Sequence, residues 1–394
     1  MKPTLLFYCR HSQDPDHLVR SWTLADALSS IFHVLLVSDG EPPAGMKPPP
    51  NIEVVTLPAH TRTMADTSMT RRDGWLVSGA RTNRARLLLD SFFLREPAVV
   101  LIDLFPFGHA TFTHEIHPML EYAAAARHRP LVVCSLPDLP DGRGRNQRHD
   151  DRARQIADDY FDAVLVHTDP CLATLEDTFT PRSALRVPVI YTGFLTSRAS
   201  MARPTARRTG IIVSAGDGRA GGPLFRAAIE AHAFCPAADR LPMRIVTGPL
   251  LPDRDDAALR SQAVWHPDVT VERSVPALHP LLTSAALSIS QCGYHTALDV
   301  LQSRVPALVV PLAEGRELGE RARASRLEAL GALRVLDPDV LTAPRLAIEI
   351  LAARTFEPAP VDLDLDGADE TARLITRLWK SPVSRRRPAM ASAS

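Results

Sequence analysis

The strongest constraint on this chain is an alternation of short apolar runs with amphipathic stretches, interrupted once. Strand-length apolar runs fall at residues 4–9, 33–37, 52–57, 98–102, 131–134 and 163–167, with helical patterning between most of them. In the first helical stretch, 17–30, Leu18, Trp22, Ala25 and Leu28 share one face. Residues 196–208 then lack apolar periodicity and read as a linker. A second series follows at 210–214, 243–247, 269–271, 286–290 and 307–310, and a last helix is predicted over 367–380. Strands alternating with helices imply parallel sheets covered on both faces. The predicted architecture is α/β, with two Rossmann-like α/β/α domains facing a central cleft. The N-terminal domain is expected over 1–195, the C-terminal domain over 209–366, and a disordered tail over 381–394.

Composition narrows the function classes. Lys plus Arg number 45 and Asp plus Glu number 45, so no global field favours nucleic acid, and none is expected as a partner. The basic side is almost all Arg, with Lys2, Lys47 and Lys380 as the lysines, a skew that reads as coding bias. The uncharged run between Arg273 and Asp299 is broken by Pro276, His279, Pro280 and Gln291, so no transmembrane segment is expected. The apolar N-terminal stretch is too short for a signal peptide. Five scattered cysteines without a C-x-x-C point to a reduced, cytoplasmic chain without structural zinc.

Two segments carry candidate chemistry. Gly216-Asp217-Gly218-Arg219-Ala220-Gly221 is a G-x-G-x-x-G between a strand and a helix. As a dinucleotide fingerprint it needs an acidic residue ending the next strand, where the sequence reads Val246-Thr247-Gly248-Pro249. A phosphate-contacting loop of another kind and a plain tight turn remain open. The second segment, Ser290-Gln291-Cys292-Gly293-Tyr294-His295-Thr296-Ala297-Leu298-Asp299, runs from a strand into a helix. The bare amides of such a first turn suit an anion, and a carboxylate one turn on suits a vicinal diol. An ordinary capped helix with a favourable early Asp reads equally well. After the apolar run at 98–102 comes Asp103-Leu104-Phe105-Pro106-Phe107-Gly108, which puts a carboxylate at a strand end. The nearby His109, His114, Glu115 and His117 do not form a recognised ligand frame, and no metal is expected there.

The stretch from Arg273 to Gly331 resembles the donor half of GT-B glycosyltransferases, nearest to the MurG-like (family 28-type) branch and predicted bacterial relatives. The similarity extends over Gly210 to Gly222, Val246 to Pro249, Asp103 to Gly108, Ala163 to Pro170 and Tyr191 to Gly193. It implies an inverting, metal-independent transfer of a sugar from a nucleotide-diphosphate donor, UDP-linked, to an acceptor hydroxyl. No cofactor beyond that co-substrate is implied. By resemblance, Gly293, Tyr294, His295 and Thr296 hold the donor diphosphate and Asp299 the ribose. Ser274 and Val275 contact the base, Gly216 and Gly218 face the reaction centre, and Glu317 contacts the donor sugar. The residue after Glu317 is Leu318 where relatives carry Gln. The resemblance also implies that the 367–380 helix packs back on the N-terminal domain.

Relatives carry Gly-x-Gly-His and then a basic residue after the first strand. Here the glycines are replaced by Asp14 and Asp16, while His17 and Arg20 remain. His17 is the general-base candidate, because a neutral imidazole can take an acceptor proton; a helix-start His without that task is the plainer reading. Asp103 is the candidate for orienting it. Asp14, Asp16 and Arg20 are expected on the acceptor side, with further acceptor residues in loops 61–79 and 138–150. The acceptor is a small molecule, a glycan or a lipid-linked compound, and peripheral membrane contact through Arg385, Arg386 and Arg387 stays open. A monomer or homodimer is expected. Two other classes compete: a UDP-amino-sugar epimerase of the same fold, and a nucleotide-sugar-binding protein that has lost transfer.

Overall fold

The structure, a computed structural model, describes residues 2–9, 15–42, 46–58, 71–108, 112–137, 146–196, 208–275, 277–312 and 318–381, without the side chains of 15, 16, 71–82 and 318. The chain divides into two units: Met1–Leu195 with Asp364–Ser394, and Thr196–Leu363.

Unit 1 runs β1 (Thr4–Cys9), α1 (Pro15–Ser29), β2 (His33–Asp39), β3 (Glu53–Leu57), α2 (Arg71–Arg95), β4 (Val99–Asp103), α3 (Thr113–Ala125), β5 (Leu131–Leu136), α4 (Gln147–Tyr160), β6 (Ala163–Val166) and β7 (Val189–Tyr191). The strands form one parallel sheet in the order β3-β2-β1-β4-β5-β6-β7. Both faces are covered, so the strands read as continuous apolar runs. Along β1, Leu5, Phe7 and Cys9 enter one core, with Leu18, Trp22, Ala25 and Leu28 of α1. Leu6 and Tyr8 enter the other, with residues of α2, α3 and α4. The segments 71–79 and 147–150, expected as loop, are helical.

The chain returns to unit 1 through a tight approach. Phe194 N–H donates to the Asp364 carbonyl at 2.7 Å. Gly193 has φ +79°, and a Cβ there would meet Asp364 Cγ at 2.4 Å, so this crossing admits glycine alone. The last helix, α11 (Gly367–Lys380), adds Ala368, Ala372, Leu374 and Ile375 to the α1 face. Burying the Leu and Ile side chains contributes about 1.5–3 kcal/mol each. Asp369 and Glu370 in its first turn, and Arg377 and Lys380 in its last, match the helix dipole.

Unit 2 contains β8 (Ile211–Ser214), α5 (Gly222–Phe234), β9 (Met243–Val246), α6 (Asp253–Ala263), β10 (Val269–Glu272), α7 (His279–Ser284), β11 (Leu287–Ser290), α8 (Tyr294–Ser303), β12 (Ala307–Val309), α9 (Leu318–Ala329), β13 (Arg334–Val335) and α10 (Ala343–Ala353). Its six strands are parallel, in the order β10-β9-β8-β11-β12-β13. The core packs Phe225, Ile229 and Leu346 on Val213, Ile245, Ile289 and Leu308. Among the described residues no helix is long and apolar enough to cross a membrane.

Candidate functional site

In an open parallel sheet, ligands settle outside the carboxyl ends of the strands where the strand order reverses. In unit 2 that point lies between β8 and β11, because β9 and β10 extend from the other side of β8. The loops after these two strands are joined there: Gln291 Nε2 donates to the Ala220 carbonyl at 3.4 Å.

The α8 start dominates this point. Gly293 is its N-cap and offers no side-chain cap, and the first turn holds no acidic residue. The positive end of the helix dipole is left without a compensating charge from its own turn. Tyr294 and His295 meet edge to face at 5.3 Å. Asp299 lies one turn further on and is partly buried. Burial alone lifts its carboxyl to about 7, and no hydrogen bond to it exists among the described residues. A carboxylate so placed is an acceptor awaiting donors.

The peptide before α8 is clamped from below. Cys292 N–H donates to Glu320 Oε1 at 2.5 Å, and Arg323 Nη1 donates to the Cys292 carbonyl. Both α9 side chains are buried, and burial raises the Glu320 carboxyl. Arg323 also lies 5.9 Å from the Tyr294 ring. The Glu–Arg pair three residues apart was the available signal for this clamp.

The glycine loop is built for packing. Gly218 has φ +91°, and a Cβ there would sit 2.1 Å from the Thr247 carbonyl oxygen. Its amide donates to Ala215 O at 2.9 Å, and the Gly221 amide to Gly218 O at 3.1 Å. Asp217 accepts from the Arg219 amide at 2.9 Å. Three amide protons therefore stay inside the loop, which favours the plain tight turn over a phosphate-contacting loop at Gly218. Gly216, with φ +53°, sits at the turn leaving β8. Ser274 is exposed and Val275 partly buried, after β10 at the sheet edge. Glu317 lies outside the described residues.

In unit 1 the strand order reverses between β1 and β4. His17 is in the first turn of α1 and is partly buried. Arg20, three residues on and on the same helical face, reaches the end of β4: its Nη2 donates to Asp103 Oδ1 at 2.5 Å. The side chains are 3% and 0% exposed. Asp103 Oδ2 has no hydrogen-bond partner among the described residues, and burial outweighs Arg20 to raise this carboxyl to about 6. The expectation that Asp103 orients His17 is thus corrected: Asp103 pairs with Arg20, and no hydrogen bond joins it to His17 among the described residues. A carboxylate buried at a strand end needs a counter-charge, and Arg20 is the long cation within reach. Asp14 and the Asp16 side chain lie outside the described residues.

A second buried network went unread. Arg84 donates to both oxygens of Glu115 at 2.9 and 3.0 Å and to Asp39 Oδ1 at 2.6 Å. Tyr8 Oη donates to Glu115 Oε1 at 2.9 Å. Glu115, considered above among possible metal ligands, is committed to this cluster. Among the described residues no group of His, Cys, Asp and Glu is arranged to hold a metal ion.

No protein-family model matches the sequence, and no curated protein is detectably similar to it. Solved structures are similar in fold over nearly the whole chain. A UDP-glucosyltransferase from Polygonum tinctorium, in a complex with 3,4-dichloroaniline, has a TM-score of 0.61 at 15% identity, covering 97% of this chain and 99% of that one. MurG from Acinetobacter baumannii has a TM-score of 0.60 at 13% identity, with 96% and 100% covered. These are GT-B glycosyltransferases. This chain has the GT-B fold. The GT-B likeness also includes the spinosyn rhamnosyltransferase SpnG complexed with thymidine diphosphate, with a TM-score of 0.53 at 18% identity and 96% of each chain covered. Within this GT-B chain, α8 and Asp299 lie at the switch point of the Thr196–Leu363 unit, and His17 lies at that of the other.

Proposed function

We propose that this chain is an inverting glycosyltransferase that moves a sugar from a nucleoside-diphosphate donor to an acceptor hydroxyl without a metal ion. The observation that carries the reading is the pairing of the α8 start, with Gly293 as N-cap and no acidic residue in its first turn, with the partly buried Asp299 one turn behind it, a carboxylate without a hydrogen bond among the described residues. Gly293, Tyr294, His295 and Thr296 would receive the diphosphate. The helix dipole would offset the charge that develops as it leaves, in the place of a cation. Asp299 would accept both ribose hydroxyls. Ser274 and Val275 would contact the base, and Glu317 the sugar. The names of two fold neighbours favour a pyrimidine donor, one being called a UDP-glucosyltransferase and the other complexed with thymidine diphosphate.

The acceptor oxygen would attack the anomeric carbon while the bond to the diphosphate breaks and His17 takes the hydroxyl proton. A single displacement of this kind inverts the anomeric centre. The test is nucleotide release from UDP- and dTDP-sugars with an acceptor panel of alcohols, phenols and glycans. His17→Ala is expected to lower turnover by about two to four decades at unchanged UDP affinity; a variant near the wild-type rate would remove His17 from this role. A nucleotide-sugar-binding protein without transfer is the second reading. It is favoured by the capture of Asp103 by Arg20, and it predicts UDP binding with no release on any acceptor.

A further inference from the structure

Unit 1 carries a charged hollow that the transfer reading does not use. It has a volume of about 570 Å³ and lies between α4 and the segment at 182–183. Arg148, Arg152 and Arg154 from the helix and Arg182 from the segment line it, with Asp151 and Gln155. The sheet places it away from the β1–β4 switch point, because α4 leads into β6, next to the edge strand β7.

The arginines of this hollow are not all spent on the fold. Arg154 pairs with Asp158 at 2.9 Å. Arg182 pairs with Asp151 at 3.5 Å, and the same carboxylate accepts the Arg182 amide at 2.7 Å. Arg148 and Arg152 have neither an ion pair nor a hydrogen bond among the described residues. Two features make that placement unfavourable to the isolated chain. Arg148 stands in the first turn of α4, where a cation opposes the helix dipole. Arg148 and Arg152 are also four residues apart on one face, a spacing at which like charges repel. An oxyanion held between them would relieve both.

We propose that this hollow is a phosphate-binding site, distinct from the transfer site. Its ligand is a phosphomonoester or diphosphate group, taken between the planar forks of Arg148 and Arg152, with Arg182 facing them across the hollow. Guanidinium forks match two phosphate oxygens at once, which an ammonium does not. Asp151 does not oppose the ligand, because Arg182 already holds it. The phosphate can belong to a soluble ester or to a lipid headgroup, since the chemistry at the arginines is shared. The site stands independently of the glycosyl-transfer reading.

The test compares the full chain with the double variant Arg148→Gln/Arg152→Gln. Both residues are exposed, so the variant keeps the fold, checked by a melting temperature no lower than that of the wild type. Calorimetric titration with inorganic pyrophosphate is the first arm, and flotation with vesicles containing phosphatidic acid is the second. Wild-type binding in either arm that falls at least tenfold in the double variant supports the site, and the arm that responds identifies the source. The variant Arg148→Lys/Arg152→Lys keeps the charge without the fork and is expected between the two. Binding within twofold of wild type in the glutamine variant overturns the proposal, as does wild-type protein that binds neither probe.

Discussion

Asp299→Asn is the perturbation in which the site and the fold disagree most. The carboxyl sits at about 7 in the folded chain against an ordinary 3.8, by burial alone. The folded state therefore holds more protons than the unfolded one between about pH 4 and pH 7. Stability falls as pH rises through that window, and above it the folded chain carries the whole penalty of a buried charge. Asn has no charge to desolvate. The gap between the two values caps the gain at about 4 kcal/mol, and solvent at the partly buried carboxylate brings the expectation to about 2 kcal/mol. Urea denaturation at pH 8 should show the variant more stable by about that amount, with no gain at pH 4. UDP affinity should move the other way. Losing two charge-assisted hydrogen bonds from a diol costs about 1.5–3 kcal/mol each at most, so at least a tenfold loss by calorimetry is expected. Wild-type affinity itself should rise with pH through 7, as the acceptor form is populated. A variant no more stable at pH 8 would refute the burial argument, and one that binds UDP as well as wild type would refute the diol assignment.

Other expectations follow from the buried pairs and the glycine loop. Arg20→Ala leaves Asp103 buried without its counter-charge and should destabilise unit 1 by about 3–5 kcal/mol in urea; restoring most of that loss with Asp103→Asn in the same chain checks that the pair, not the packing, is responsible. Gly218→Ala should destabilise unit 2 with or without nucleotide, since its Cβ would lie 2.1 Å from the Thr247 carbonyl oxygen; a folded variant that loses only nucleotide affinity would return Gly218 to the ligand. Arg323→Ala should weaken UDP binding through release of the Cys292 carbonyl, and a calorimetric affinity equal to wild type would show that the clamp does not position α8.

Much of the fold was legible because both sheets are buried on two sides. Runs such as 5–9 within 4–9, and 98–102, are apolar for that reason, and they fall within a residue of β1 and β4. Two of the four edge strands were missed: β7 has three residues and β13 two, all only partly buried, so neither gives a run to read. The α8 segment was legible as a strand end followed by an unusual helix start. The glycine loop was left between two readings, since a G-x-G-x-x-G spells the same whether its glycines admit a phosphate or the carbonyl of Thr247. The Arg20–Asp103 and Arg84–Glu115 pairs join residues 83 and 31 apart. Nothing in their local sequence separates a buried Arg from a solvated one; the sheet order alone brings them together.

The central claim is that α8 and Asp299 form a nucleoside-diphosphate site. The most direct measurement is thermal stabilisation by UDP, dTDP, GDP, ADP and NAD without added metal, for the wild type and Asp299→Ala. A ligand at 100 times its dissociation constant adds about 2.7 kcal/mol, which a melting curve resolves. The account predicts a shift with UDP or dTDP that shrinks sharply in the variant. A shift with NAD alone, or a pyrimidine shift that the variant keeps in full, would contradict it.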